Sequence, residues 1–297
     1  MHISGQTQLI GIVADPIAHV KTPQVINHSA ANQGLDLACV PLHVRGTNLQ
    51  KVLLGVSGIA NLRGLVVTIP YKESIVEYCD ELTDTARQVG SVNAVRIDSE
   101  SGRLIGGNFD GEGMLAGLHQ QGHRLEGKRV LLVGAGGAGK SIAWAIAQQQ
   151  PARLAIYNRS PARAEALLER LRAQFPQVDL SSSDGNAQDF DVIINATALG
   201  LKDDDALPLD PATLRADALV CEAVMRTGDT ALLAAARERG CRVHHGQHMI
   251  YGQIVQICRF LGVDLQHEHL ARILGPWALA FFRRPRPCTT STTASSC

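Results

Sequence analysis

A chain of 297 residues is long enough for two domains of ordinary size. Its 28 Lys and Arg balance 28 Asp and Glu, so no basic field is present to hold nucleic acid or an anionic membrane surface without sequence preference. Apolar residues make up 45%, and the longest apolar runs, Leu9–Ala14 and Val130–Gly139, fall well short of the ~20 residues a membrane-spanning helix requires. Membrane, collagen-like and disordered classes are excluded.

No Lys or Arg precedes Lys21, and no apolar stretch runs into a small-residue cleavage site, so no secretory leader is expected. Seven cysteines, an odd number without any C-x-x-C, read as reduced thiols and place the chain in the cytoplasm.

Short β-rich runs alternate with longer helical ones. Leu9–Ala14 predicts a strand and Pro23–Gln33 a helix begun by Thr22, with proline in its first turn. Leu37–Val44 predicts a strand, Leu49–Val56 a helix, and Gly64–Ile69 a third strand stopped by Pro70. Helical turns are expected around Tyr71–Tyr78 and Thr83–Val89. This β-α-β-α-β succession implies parallel strands with both faces covered. Gly102–His123 then bridges to a second series and contains the loop Gly106-Gly107-Asn108-Phe109-Asp110-Gly111.

The second series predicts strands at Arg129–Val133, Arg153–Tyr157, Val178–Leu180, Phe190–Asn195 and Ala218–Ala223. Helices are expected at Lys140–Gln149, Pro161–Ala173 and Thr230–Arg239, then at Met249–Leu261 and His269–Phe282. Residues 285–297 form a tail read as disordered.

The turn after Val133 carries the first chemical signal. Gly134, Gly136 and Gly139 satisfy G-x-G-x-x-G between a strand and a helix, the context that brings backbone amides against a dinucleotide pyrophosphate. The same stretch satisfies G-x-x-x-x-G-K-[ST] with Lys140 and Ser141, a phosphate loop for nucleoside triphosphates. The neighbouring strand ends decide between them. A phosphate loop needs an Asp at another strand end for Mg²⁺, whereas Val192-Ile193-Ile194 runs into Asn195 and Ala155-Ile156-Tyr157 into Asn158. About 20 residues beyond Gly139, where an acid reads the ribose of NAD, stands Arg159, with Arg163 four further on. A pair of arginines suits the 2′-phosphate of NADP. The plainer alternative is that both merely solvate a helix start.

Further motifs resemble the shikimate dehydrogenase family. They are Pro16-Ile17-Ala18-His19 with Lys21-Thr22-Pro23, Val67-Thr68-Ile69-Pro70-Tyr71-Lys72, Gly90-Ser91-Val92-Asn93-Ala94 and Asn108-Phe109-Asp110-Gly111. The glycine turn, Asn158-Arg159, Ile194-Asn195-Ala196-Thr197 and Gly246 with Met249 and Gln253 continue the resemblance in the same order, over roughly residues 8–282. It implies an α/β protein of two domains with the active-site cleft between them. Residues 1–109 and 246–284 would form a substrate-binding domain with a mostly parallel sheet, and residues 110–245 a Rossmann-type NADP-binding domain.

The implied reaction is the reversible NADP-linked interconversion of shikimate and 3-dehydroshikimate. The resemblance makes Lys72 and Asp110 the catalytic pair and places Thr22, Thr68, Asn93 and Gln253 on substrate. It puts Gly134, Ala135, Gly136, Gly137, Ala138 and Gly139 on the pyrophosphate. Asn158, Arg159, Ser160, Arg163, Asn195 and Thr197 take the rest of the cofactor. The chemistry agrees: oxidising a secondary alcohol needs a base at the hydroxyl, reduction needs an acid at the same place, and a desolvated lysine serves both. Taken alone, Lys72 reads as a solvated side chain and Asp110 as a turn residue.

Four positions are less polar than the family pattern: Val20, Val66, Phe109 and Met225. Each lost hydrogen bond is worth roughly 0.5–1.5 kcal/mol, so the pocket would differ in specificity unless a neighbour such as Tyr71 takes over. Quinate or another cyclic hydroxy acid is the alternative substrate, and an NADP-binding regulatory protein without turnover the alternative function. No metal is expected: His244, His245, His248, His267 and His269 match no ligand spacing. His248 falls near the expected nicotinamide end. Trp144, Trp277 and Phe281-Phe282 read as packing residues. A monomer and a homodimer fit the sequence equally.

Overall fold

Two six-stranded sheets organise the structure, a computed structural model that describes residues 3–18, 20–226 and 228–265. The expected helix His269–Phe282, Trp277, His267 and the 285–297 tail lie outside the described residues.

The first sheet opens with β1 (Gln8–Ala14), α1 (Thr22–Asn32), β2 (Leu37–His43), α2 (Leu49–Val56) and β3 (Leu62–Val67). The apolar run of β1 is buried on both faces, as a central strand of a covered sheet must be. Thr22 is the first helical residue of α1, with Pro23 next, where the missing N–H costs no helical bond. β1 pairs in parallel with β2 and β3, as the alternation implies.

Beyond β3 the sheet departs from expectation. β4 (Glu81–Leu82), α3 (Asp84–Val89), β5 (Ala94–Ile97) and β6 (Leu104–Gly107) complete the order β2-β1-β3-β5-β6-β4, with β5 antiparallel to both neighbours. The predicted loop at Gly106-Gly107 is therefore strand. Its glycines are there for packing: a Cβ on Gly106 would lie 2.8 Å from Leu82 and Val92, and one on Gly107 2.9 Å from Phe109. The β5–β6 connection is tied by Asp98 Oδ1, which accepts from the Ser101 N–H and hydroxyl.

α4 (Asp110–Gln120) leads into the second sheet through β7 (Arg129–Val133), α5 (Gly137–Gln148), β8 (Arg153–Tyr157), α6 (Pro161–Gln174) and β9 (Leu180–Ser182). β10 (Val192–Asn195), β11 (Leu219–Glu222), α7 (Ala231–Glu238) and β12 (Arg242–His244) follow, and α8 (Gln247–Phe260) ends the described elements. Every pairing is parallel in the order β12-β11-β10-β7-β8-β9. The order reverses between β7 and β10, and a ligand crevice is expected outside their carboxyl ends. The predicted strand at Val178–Leu180 moves to Leu180–Ser182, and the helix after the glycine turn starts at Gly137, inside the motif.

α8 returns to the first sheet, where Ile254, Ile257 and Leu261 pack with Ile10, Ile12 and Val66. α4 is wedged between α8 and α5. Gly113 permits that wedge, since a Cβ there would stand 2.7 Å from the Met249 carbonyl oxygen. No described helix is long and apolar enough to cross a membrane.

Candidate active site

The carboxyl ends of β1, β3, β7 and β10 open on one cleft of about 770 Å³ between the two sheets. On one side it is lined by Thr22, Thr68, Lys72, Asn93, Asp110 and Gln253. On the other stand Gly134, Gly136, Gly137, Ala138, Asn158, Arg159, Arg163 and Thr197.

Lys72 Nζ donates to Asp110 Oδ2 at 2.6 Å, and the two side chains are 14% and 0% exposed. Both are held from behind. The Lys72 carbonyl accepts the Val92 N–H at 2.7 Å. Asp110 opens α4, and its N–H donates to Asn108 Oδ1, whose amide nitrogen in turn donates to Ser91. A carboxylate at a helix start is favoured by the helix dipole. Asp110 Oδ1 is buried with no hydrogen-bond partner among the described residues, so one acceptor of the pair remains for a ligand.

Next to this pair, Asn93 Nδ2 donates to Gln253 Oε1 at 3.0 Å, and Asn93 Oδ1 accepts the Phe109 N–H. Asn93, just before β5, and Gln253 of α8, 160 residues apart in sequence, thus share one amide pair. The Tyr71 hydroxyl is buried and donates to the Val44 carbonyl, which corrects the idea that it replaces a lost ligand contact. Phe109 is also corrected. Its ring lies 5.3 Å from that of Phe260 and does not line the cleft, whereas Val20, Val66 and Met225 do.

The glycine turn fits a dinucleotide. Gly134 has φ +109°, a conformation open to glycine, and a Cβ on Gly139 would overlap the Gly134 carbonyl oxygen. A Cβ on Gly136 would meet nothing within 4 Å, so space for a phosphate lies directly against its backbone at the start of α5. Asn158 Oδ1 accepts the Ala135 N–H at 3.0 Å, bracing the turn from the end of β8. Arg159 lines the cleft and takes part in no ion pair among the described residues. Arg163 is engaged: its guanidinium donates to Glu73 Oε1 at 2.7 Å, while Lys140 Nζ takes Glu73 Oε2 at 2.8 Å.

Ala135, Gly139, Ser160 and Asn195 do not line the cleft. Asn195 is fully buried, donating to Glu222 Oε2 and the Leu199 carbonyl and accepting from Thr197. It shapes the 195–200 loop that presents Thr197. The Glu222 carboxyl is pushed up to about 7 by burial, with Thr230 and Asn195 hydrogen bonds opposing. Neither Glu222 nor Glu73 is singled out by sequence, because Asn195 lies 27 residues from Glu222, and Lys140 and Arg163 lie 67 and 90 residues from Glu73. Ser141, the phosphate-loop hydroxyl, accepts the Gly111 N–H at 2.8 Å and is buried away from the cleft. His248 packs its ring 4.8 Å from His244 and is not among the residues that line the cleft.

Fold and cleft together define a class: a dinucleotide-binding sheet joined to a second α/β sheet, with a lysine–carboxylate pair at the junction. Comparison with known proteins gives the family. Residues 12–95 match the shikimate dehydrogenase substrate binding domain, and residues 117–201 match shikimate / quinate 5-dehydrogenase. The NADP(+) shikimate dehydrogenase of Rubrobacter xylanophilus is 38% identical over 270 residues, 88% of this chain and 93% of that one. Shikimate dehydrogenase from Aquifex aeolicus superposes with TM-score 0.82 at 27% identity, covering 92% of this chain and 100% of that chain. The Thermus thermophilus enzyme, solved with NADP(H) and shikimate, gives TM-score 0.80 at 26% identity, over 93% and 98% of the two chains. The chain belongs to the shikimate dehydrogenase family.

Proposed function

We propose that this protein is an NADP(H)-dependent shikimate dehydrogenase of the cytoplasm, interconverting shikimate and 3-dehydroshikimate. Dividing the chain at Asp110 and Gly246 assigns the first sheet with α8 to the substrate and the second sheet to the cofactor. The observation that carries the reading is the Lys72 Nζ–Asp110 Oδ2 bond of 2.6 Å, facing across one cleft a glycine turn shaped for pyrophosphate.

When bound, NADP supplies the acceptor or donor of hydride at the ring carbon. The chain's own residues do the rest. Lys72 Nζ takes the proton of the reacting hydroxyl during oxidation and returns one to the carbonyl oxygen during reduction. Asp110 Oδ2 fixes the ammonium, and Oδ1 is open to a ligand hydroxyl. Asn93 and Gln253 orient the ring, and Thr22 and Thr68 hold its carboxylate. Gly134, Gly136, Gly137 and Ala138 bring backbone to the pyrophosphate, and Arg159 supplies charge for the 2′-phosphate.

The test is NADPH formation with saturating NADP⁺ and shikimate, in the intact protein and in Lys72→Ala. Turnover is expected in the former, with a fall of roughly 10²–10⁴-fold in the variant and unchanged NADPH binding. Undiminished turnover in Lys72→Ala would overturn the assignment.

A further inference from the structure

Around Lys72 and Asp110 the cleft lining divides into a polar part and a hydrocarbon part. Lys72 Nζ and Asp110 Oδ1 serve the reacting hydroxyl. Asn93 and Gln253 have spent part of their capacity on each other and on the Phe109 N–H, which leaves one N–H on Asn93 and two on Gln253, on adjoining side chains, for the hydroxyls beside them. Lys21, Thr22 and Thr68 also line the cleft and suit a carboxylate.

The remaining wall is hydrocarbon. Ile12 and Val66 are directly paired across β1 and β3, so their side chains share one face of the sheet. Ile250 and Ile257 of α8 also line the cleft, as does Val20 from the segment before α1. All five belong to or pack on one apolar cluster. A third ring hydroxyl placed here would leave water without gaining a partner, and an unpaired buried hydroxyl is penalised. A methylene at the same position would gain by burial.

Resting on the dehydrogenase reading above, we propose that the preferred substrate is a cyclic secondary-alcohol carboxylate with one hydroxyl fewer than shikimate, its hydrocarbon edge against Val20, Val66 and Ile257. The redox step is the same: the carbinol carbon gives its hydrogen with two electrons to NADP⁺. The hydroxyl proton passes to the Lys72–Asp110 pair, and a ketone and NADPH result.

The test compares kcat/KM with NADP⁺ for shikimate and for its 4-deoxy and 5-deoxy analogues. At least one analogue is expected to exceed shikimate roughly tenfold, the equivalent of about 1.4 kcal/mol. Val66→Asn and Val20→Ser should each shrink that ratio severalfold while NADPH affinity stays unchanged. Val66 lies inside a strand and Val20 outside one, so the second variant reads the same effect should the first fail to fold. Shikimate turned over as well as or better than both analogues would overturn the preference alone, as would ratios unmoved by either substitution. Turnover of none of the three, with NADPH still bound, would overturn the dehydrogenase reading and the preference with it.

Discussion

Glu222 is 1% exposed, with Oε1 accepting from the Thr230 hydroxyl and Oε2 from the Asn195 amide. Burial holds its carboxyl at about 7, against 4.5 in the unfolded chain. Between those values the native state keeps a proton that the unfolded state has released, so this group's contribution is full below 4.5 and falls as pH rises toward 7. The loss amounts to at most about 3 kcal/mol. Glu222→Gln removes it, and urea denaturation should show the variant gaining on the parent between pH 5 and pH 8. Parallel pH profiles would refute the assignment. His244 and His248 work in the opposite sense. Burial, and then neighbouring imidazoles, lower them to about 3 and 4, so the unfolded chain takes up protons first and stability drops as pH falls below 6.5. The comparison between parent and variant cancels that shared slope.

At the scale of elements, α4 carries the Asp110 carboxylate at its start and owes its position to glycines. A Cβ on Gly111 would overlap the Ser141 carbonyl of α5, and the Gly111 N–H donates to Ser141 Oγ. Gly111→Ala forces α4 and α5 apart. A loss of roughly 1–3 kcal/mol is expected in urea denaturation, because close-packed backbone cannot yield as a side-chain tip can. Turnover should fall as well, since Asp110 is the preceding residue. A variant as stable as the parent would show that the helices are less tightly held. Elements with their own signals were legible from sequence: the Pro23 helix, Leu49–Val56, Arg129–Val133 and Arg153–Tyr157 emerge within a residue or two of expectation. The β5–β6 hairpin was not. Each strand has four residues, and the glycines that end β6 read locally as turn formers while tertiary crowding makes them strand residues.

For the whole molecule, Glu73 is a tie between the two sheets. Next to Lys72 on the substrate side, it engages Lys140 of α5 and Arg163 of α6 on the cofactor side. If Arg163 takes a cofactor phosphate, as the sequence motif implies, that phosphate competes with this carboxylate. Pairs this exposed are worth about 0.2–1 kcal/mol, so Glu73→Gln is expected to tighten NADP⁺ binding by roughly 1.4- to 5-fold. The effect should shrink as salt is raised. Weaker binding in the variant would mean that Glu73 holds the arginine in place for the phosphate.

Spacing of residue types along the chain determined the alternation of strands and helices, the glycine turn and the presence of Arg159 where an NAD-type acid would stand. These depend on period, φ freedom and the amide-rich start of a helix, all of which are local properties. Only the tertiary structure decided which side chains face the cleft. It set Phe109 against Phe260 and His248 against His244, joined Asn93 to Gln253, buried Asn195 against Glu222 and set Arg163 against Glu73. Those outcomes depend on which elements pack together across many tens of residues, and burial and hydrogen bonding there are properties of the assembled sheets and helices.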